Sequence, residues 1–267
     1  MASPPLETTP PRVTLFTPDI ALGFPTERTD GGPQTAIYVP PGIDEGCPRV
    51  NAILWLHGHK DASTAVIEAY LADPRFAFRE VLEGRAAPAG AVLVAPTLGP
   101  RDECGALAEG ATAYLEQVRR VMVRHLGFPE ATGWSEVVLA CHSGGGKVAL
   151  QIAEALAAGL ARAGGVLAEI WQFDSLYENQ PQTPADPEPT AAWWAAFAAS
   201  HPGTTLRVFH LTTTAHCEYL RAEAERRGLT NVRVAPSDDP VHATVARTHL
   251  PACYDAWLGA MAAATPA

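Results

Sequence analysis

The sequence predicts a single α/β domain built on a mostly parallel, doubly wound β-sheet of about eight strands. Three observations point there. Short apolar runs alternate with longer Ala-rich segments of helical period, the pattern of strands joined by crossover helices. A chain of 267 residues supplies one sizeable core, and no internal repeat divides it, so residues 1–267 read as one unit. The apolar runs are strand-length, too short to span a bilayer.

Taken in order, the strands are expected near Val13–Phe16, Ala36–Val39, Ala52–Leu56, Ala91–Ala95, Glu136–Cys141, Val166–Phe173, Leu206–Leu211 and Val232–Ala235. Helical period appears between them at Thr64–Leu71, Ala111–Leu126, Lys147–Ala163 and Glu218–Arg227. The third of these sets Val148, Ile152, Leu156 and Leu160 four apart, one face for the sheet. A last helix is expected from about Pro251 to Met261, because proline suits a first helical turn. The Pro-rich N-terminus reads as a loosely held arm.

Residues 178–204 break the alternation. Glu178–Pro189 is rich in Pro, Gln, Asp and Glu, and the following Ala-rich stretch carries adjacent Trp193 and Trp194. Such an insertion is expected to form a loop or small lid over the strand ends. The two tryptophans either line an apolar substrate pocket or anchor the insertion to the core.

Charge excludes one class of partner. The formal net charge is −10 and lysines and arginines are not clustered, so nothing matches a polyanionic backbone and no nucleic acid is expected. The start, Met1-Ala2-Ser3-Pro4-Pro5, lacks the basic and apolar segments of a secretory signal. The five cysteines have no paired metal-ligand spacing, and their odd number leaves at least one thiol unpaired in a monomer. A reducing, cytoplasmic setting is the expectation, with one or two disulfides left open.

The chemistry concentrates where Val137-Val138-Leu139-Ala140-Cys141 runs through His142-Ser143 into Gly144-Gly145-Gly146 and an amphipathic helix. A serine at a tight strand-to-helix turn projects its hydroxyl above the sheet, and small neighbours prevent clashes. The next backbone N–H, on Gly144, then faces a developing oxyanion near the positive end of the helix. The phosphate-cradle alternative needs Gly-x-x-x-x-Gly-Lys-Ser/Thr, and here Cys141 and Val148 occupy its first and last positions.

Cys141-His142-Ser143-Gly144-Gly145 resembles the Gly-x-Ser-x-Gly nucleophile elbow of the α/β-hydrolases, with Cys141 departing from the first glycine. The resemblance implies an acid and then a histidine later in the chain. Asp174, directly behind an apolar strand, is the candidate acid, with Glu218, Asp238 and Asp239 as alternatives. His242, between the last strand and the last helix, is the candidate base, and His249, two residues before Pro251, is its competitor. The strand Ile53–Leu56 ends in His57-Gly58-His59, which resembles the family's oxyanion loop and assigns the His59 backbone N–H as the second donor. His57 is then structural, and His142 joins Trp193 and Trp194 as a candidate pocket wall. Arg101 in the turn after the next strand reads as a solvated loop residue.

The same segment carries a rival reading. His57-x-His59-x-Asp61 also resembles the metal signature of metallo-β-lactamase-type hydrolases, although Ala62 stands where its final histidine would be. The preferred expectation is a cofactor-free and metal-free serine hydrolase acting on a small-molecule or peptide-like acyl substrate. A carboxylic ester is the first choice of bond and an amide the second. A noncatalytic binding module on the same fold is the third class, and the oligomeric state is not indicated.

Overall fold

The computed structural model describes residues 11–19, 34–43, 46–58, 76, 78–84, 90–98, 104–176 and 187–264. Eight strands form one sheet: β1 Arg12–Phe16, β2 Thr35–Val39, β3 Arg49–Leu56, β4 Ala91–Pro96, β5 Gly133–His142, β6 Val166–Phe173, β7 Thr205–His210 and β8 Val232–Pro236. Their order across the sheet is β1-β2-β4-β3-β5-β6-β7-β8. Strand β2 runs antiparallel to both β1 and β4, and every pairing from β4 through β8 is parallel.

Register gathers the carboxyl ends of the parallel strands at one edge. Leu56 pairs with Cys141, His142 with Phe173, Phe173 with Phe209, and His210 with Pro236. Residues just beyond β3, β5, β6, β7 and β8 therefore emerge side by side, where open α/β sheets build their sites.

Side chains alternate between two apolar layers. From β5, Val137, Leu139 and Cys141 enter one layer, and Val138 and Ala140 the other. The first layer is covered by α2 Leu107–Leu126, α3 Gly146–Arg162, α4 Pro187–Ser200 and α5 Thr214–Arg227. The second is covered by α1 Phe78–Gly84 and α6 Val245–Ala264. A sheet so enclosed explains why β2, β4 and most of β5 read as continuous apolar runs.

The elements differ from the sequence expectation mainly at their starts. Helix α2 begins at Leu107, α5 at Thr214 and α6 at Val245. Pro251 thus lies inside α6 instead of opening it. Proline there removes one intrahelical hydrogen bond. The helix continues because Val245, Ala246, Leu250, Cys253, Tyr254 and Trp257 are buried in the second layer.

Helix α4 occupies the second half of the 178–204 segment and is the crossover between β6 and β7. Trp194 is buried in the first layer and packs edge-on against Phe197, whereas Trp193 is 49% exposed. The helix expected at Thr64–Leu71, the first half of the insertion, the N-terminal arm and Arg101 lie outside the described residues. All five cysteines are free, so the disulfides left open by their number are not formed. Among the described residues, no helix is long and apolar enough to cross a membrane.

Candidate active site

Ser143 stands where β5 becomes a 3-10 turn, Ser143–Gly145, that runs directly into α3. Its φ is 52°, a left-handed conformation that L-residues seldom adopt. The glycines around it answer to close packing. A Cβ on Gly145 would lie 2.6 Å from the Leu56 carbonyl oxygen, and one on Gly146 would lie 1.6 Å from that of Ser175. A Cβ on Gly58, at the end of β3, would approach the Ser143 Cβ to 2.6 Å. Side chains at these positions would push apart the three strand ends that meet under the serine.

Cys141, where the elbow pattern has glycine, fits because it lies on the strand before the bend. Its Sγ lies 3.2 Å from Ser175 Oγ and 3.6 Å from the Trp171 carbonyl oxygen, fully buried. Burial pushes its pKa up to about 12, so it remains a neutral thiol with no role as a nucleophile.

Asp174 follows β6 directly, also with a positive φ, of 47°, and is fully buried. The loop after β7 wraps it with donors. Leu211 N–H and Thr212 N–H each donate at 2.8 Å, Thr212 Oγ1 at 2.7 Å, Thr213 N–H at 3.1 Å and Thr213 Oγ1 at 3.0 Å. Burial by itself would raise this carboxyl, but the His242 ring and these donors hold it well below the usual carboxylate range. The same contacts favour its ionised form.

His242 opens the 3-10 turn His242–Thr244 that leads into α6. Its Nδ1 lies 2.5 Å from Asp174 Oδ2 and its Nε2 lies 2.9 Å from Ser143 Oγ. An ionised carboxylate can only accept, so Nδ1 carries the ring proton and Nε2 is left to accept from the serine hydroxyl. Three side chains separated by up to 99 positions thus form one hydrogen-bonded line.

The competitors sit elsewhere. His249 lies inside α6, stacked on Phe209 with ring centroids 4.1 Å apart, and its Nε2 is 2.9 Å from Ser237 Oγ. Glu218 is on α5 and pairs with Arg221. Asp239 braces the turn carrying His242, accepting from Val241 N–H and Thr244 Oγ1 at 2.9 Å each and from Thr248 Oγ1 at 2.6 Å. His57 is buried and receives Leu98 N–H on Nε2 at 2.8 Å, while its Nδ1–H donates to the Gly58 carbonyl at 2.7 Å. Both ring nitrogens are therefore occupied by backbone, from the segments that follow β3 and β4.

His59 and Asp61 lie outside the described residues, and among the described residues no cluster of three His, Cys, Asp or Glu side chains is placed to hold a metal ion. Of the candidate pocket walls, His142 is only 6% exposed and its ring lies against those of Phe76 and His242. Trp194 belongs to the core, and Trp193 lines a shallow groove of about 400 Å³ between α3 and α4 with Leu150, Glu154 and Phe197. Sequence reasoning missed the donors around Asp174 and the Asp239 brace on the turn of His242. The signal for the first was present, a run of three hydroxyl residues, Thr212-Thr213-Thr214, immediately behind an apolar strand.

No protein-family model matches the chain, and no curated protein does. Solved structures do. The siderophore hydrolase EstA from Aspergillus nidulans superposes with a TM-score of 0.52 at 15% identity, covering 96% of this chain and 98% of that one. The rice cell wall degrading esterase LipA from Xanthomonas oryzae gives 0.51 at 15% identity, covering 93% and 91%. Likeness at that identity speaks for architecture, and it agrees with the strand order, the single reversed strand and the bend after β5. The chain has the α/β-hydrolase fold.

Proposed function

We propose that the protein is a serine hydrolase that cleaves a carboxylic ester through Ser143, His242 and Asp174. The observation that carries this reading is the continuous line from Ser143 Oγ to His242 Nε2, at 2.9 Å, and from His242 Nδ1 to Asp174, at 2.5 Å. A serine hydroxyl is a weak nucleophile until a base accepts its proton, and a buried anion behind the imidazole selects the required tautomer and stabilises the imidazolium.

Ser143 Oγ attacks the acyl carbonyl while its proton passes to His242 Nε2. The tetrahedral oxyanion is met by the Gly144 N–H at the start of the turn into α3, with the His59 N–H as the second donor expected from its place after Gly58. The imidazolium returns the proton to the leaving alkoxide, and the carbonyl reforms as an acyl-enzyme. Water, activated by the same imidazole, releases the acid and restores Ser143. The named structural neighbours are an esterase and a siderophore hydrolase; at 15% identity they support the fold, and this chain's own site supports the chemistry.

The test is covalent labelling by a fluorophosphonate probe, expected for the wild type and abolished in Ser143→Ala. Persistence of the label in that variant would remove Ser143 from the mechanism. A panel of acyl esters and matched amides, expected to favour the esters, then reads the bond preference.

A further inference from the structure

We infer that His142, the residue before the nucleophile, is a positioning residue that holds the main chain of the base; this rests on the serine-hydrolase reading. Asp174 grips only the imidazole of His242, at Nδ1. Ring orientation also requires that the Cα of His242 stay in place, and this residue sits on a short 3-10 turn with its side chain 33% exposed.

His142 supplies two contacts to that turn. Its Nε2 lies 2.9 Å from the His242 carbonyl oxygen, and because a carbonyl only accepts, Nε2 carries a proton and donates it. Its ring also lies against the His242 ring, with centroids 4.9 Å apart and planes tilted by 32°, and is backed edge-on by Phe76 at 5.8 Å. The arrangement differs from a substrate wall, since His142 is nearly enclosed.

The consequence follows from chain adjacency. Ser143 and His142 share a peptide bond, so the segment that presents the nucleophile also grips the backbone of the base. A shift of the turn after β5 carries the His242 turn with it, and the separation of Oγ from Nε2 is preserved. Removing the donor leaves the His242 carbonyl without this partner and lets the ring sample orientations in which Nε2 misses the serine. The loss falls on proton transfer and not on substrate binding.

Three variants and one control test this. In His142→Phe the ring contact is kept and the donor is lost; kcat for p-nitrophenyl acetate and the rate of fluorophosphonate labelling are expected to fall about tenfold with KM unchanged. His142→Gln, whose amide reaches the position of Nε2, is expected to restore both rates to within about threefold of wild type, the lower range of one neutral hydrogen bond. Should the Phe variant fail to fold, His142→Asn, whose amide falls short of the carbonyl, replaces it in the comparison with Gln. Wild-type rates in the Phe or Asn variant, a rise in KM with kcat unchanged, or a Gln variant as slow as the other would each overturn the positioning role. Ser143→Ala separates the two levels: label retained there defeats the serine reading and this inference together, whereas label lost there with full rates in His142→Phe defeats this inference alone.

Discussion

The turns that end β5 and β6 lie side by side, and each forces a non-glycine residue into the left-handed region, Ser143 at φ 52° and Asp174 at φ 47°. They hold that strain by different means. The serine turn is held by contact, with glycines at 145 and 146 letting neighbouring carbonyls come closer than any Cβ would permit. The aspartate turn is held by hydrogen bonds, its carboxylate gathering main-chain and hydroxyl donors from Leu211, Thr212 and Thr213. Ser143 Oγ makes its hydrogen bond to His242 Nε2, and the turn beneath it is set by packing. The Asp174 carboxylate is held through the donors its charge gathers.

Substitutions that strip one kind of support and leave the other test this contrast. The largest effect is expected for Asp174→Asn. Asparagine tolerates positive φ, so the bend survives while the charge and the tautomer selection are lost. Turnover should drop on the order of 10⁴-fold, the size of such losses in serine triads, measured as kcat on an activated ester. A small loss would mean that another group orients His242.

Next is Gly146→Ala. Its Cβ would fall 1.6 Å from a backbone oxygen, which cannot yield without moving the start of β6's loop or of α3. A destabilisation above about 3 kcal/mol is expected from urea unfolding, beyond the usual range of overpacking. Retention of wild-type stability would show that the serine turn is not sterically determined.

Thr213→Val removes one hydroxyl donor from the buried carboxylate and keeps the shape. A loss of about 1.5–3 kcal/mol is expected, the range for hydrogen bonds to charged groups, again read from urea midpoints. Acid titration refines the same point. The folded pKa of Asp174 lies below its unfolded value, so its contribution is complete above the unfolded value, about pH 4, and is lost as pH falls through the folded one. Between about pH 4 and pH 2, the unfolding free energy of wild type should fall more steeply than that of Asp174→Asn. Parallel curves would mean that the cradle does not stabilise the charged form.

The smallest effect concerns the thiol beneath the serine. Native protein should react with iodoacetamide only at Cys47, the one cysteine that is not buried, and at all five after unfolding. Mass spectrometry that found Cys141 alkylated in the native state would show that the serine turn opens.

The fold was legible because its signal is local. The central strands are runs of apolar residues whose burial on both faces is written into consecutive positions, the outer strands β7 and β8 alternate with polar residues, and the observed strands cover the expected runs almost residue for residue. The serine turn was legible for the same reason, since a polar residue between a β-branched strand and three glycines is a sequence-adjacent event. Helix α6 was misread because Pro251 is a local stop signal that packing of Leu250, Tyr254 and Trp257 overrides. Trp193 and Trp194 were equally adjacent and equally apolar in sequence, and the helix turns one into the core and the other out of it.

By itself the sequence determined the α/β layering, the serine at the bend and the short roster of acids and histidines from which its partners could come, because these follow from side-chain periodicity and from what a tight turn tolerates. Only the tertiary structure brought His242, and not His249, within hydrogen-bond reach of Ser143, surrounded Asp174 with threonine donors from the loop after β7, and laid His142 against His242. Those choices depend on which strand ends the register of the parallel sheet brings to one edge. Pairing between segments distant along the chain sets that register, and no local run of residues encodes it.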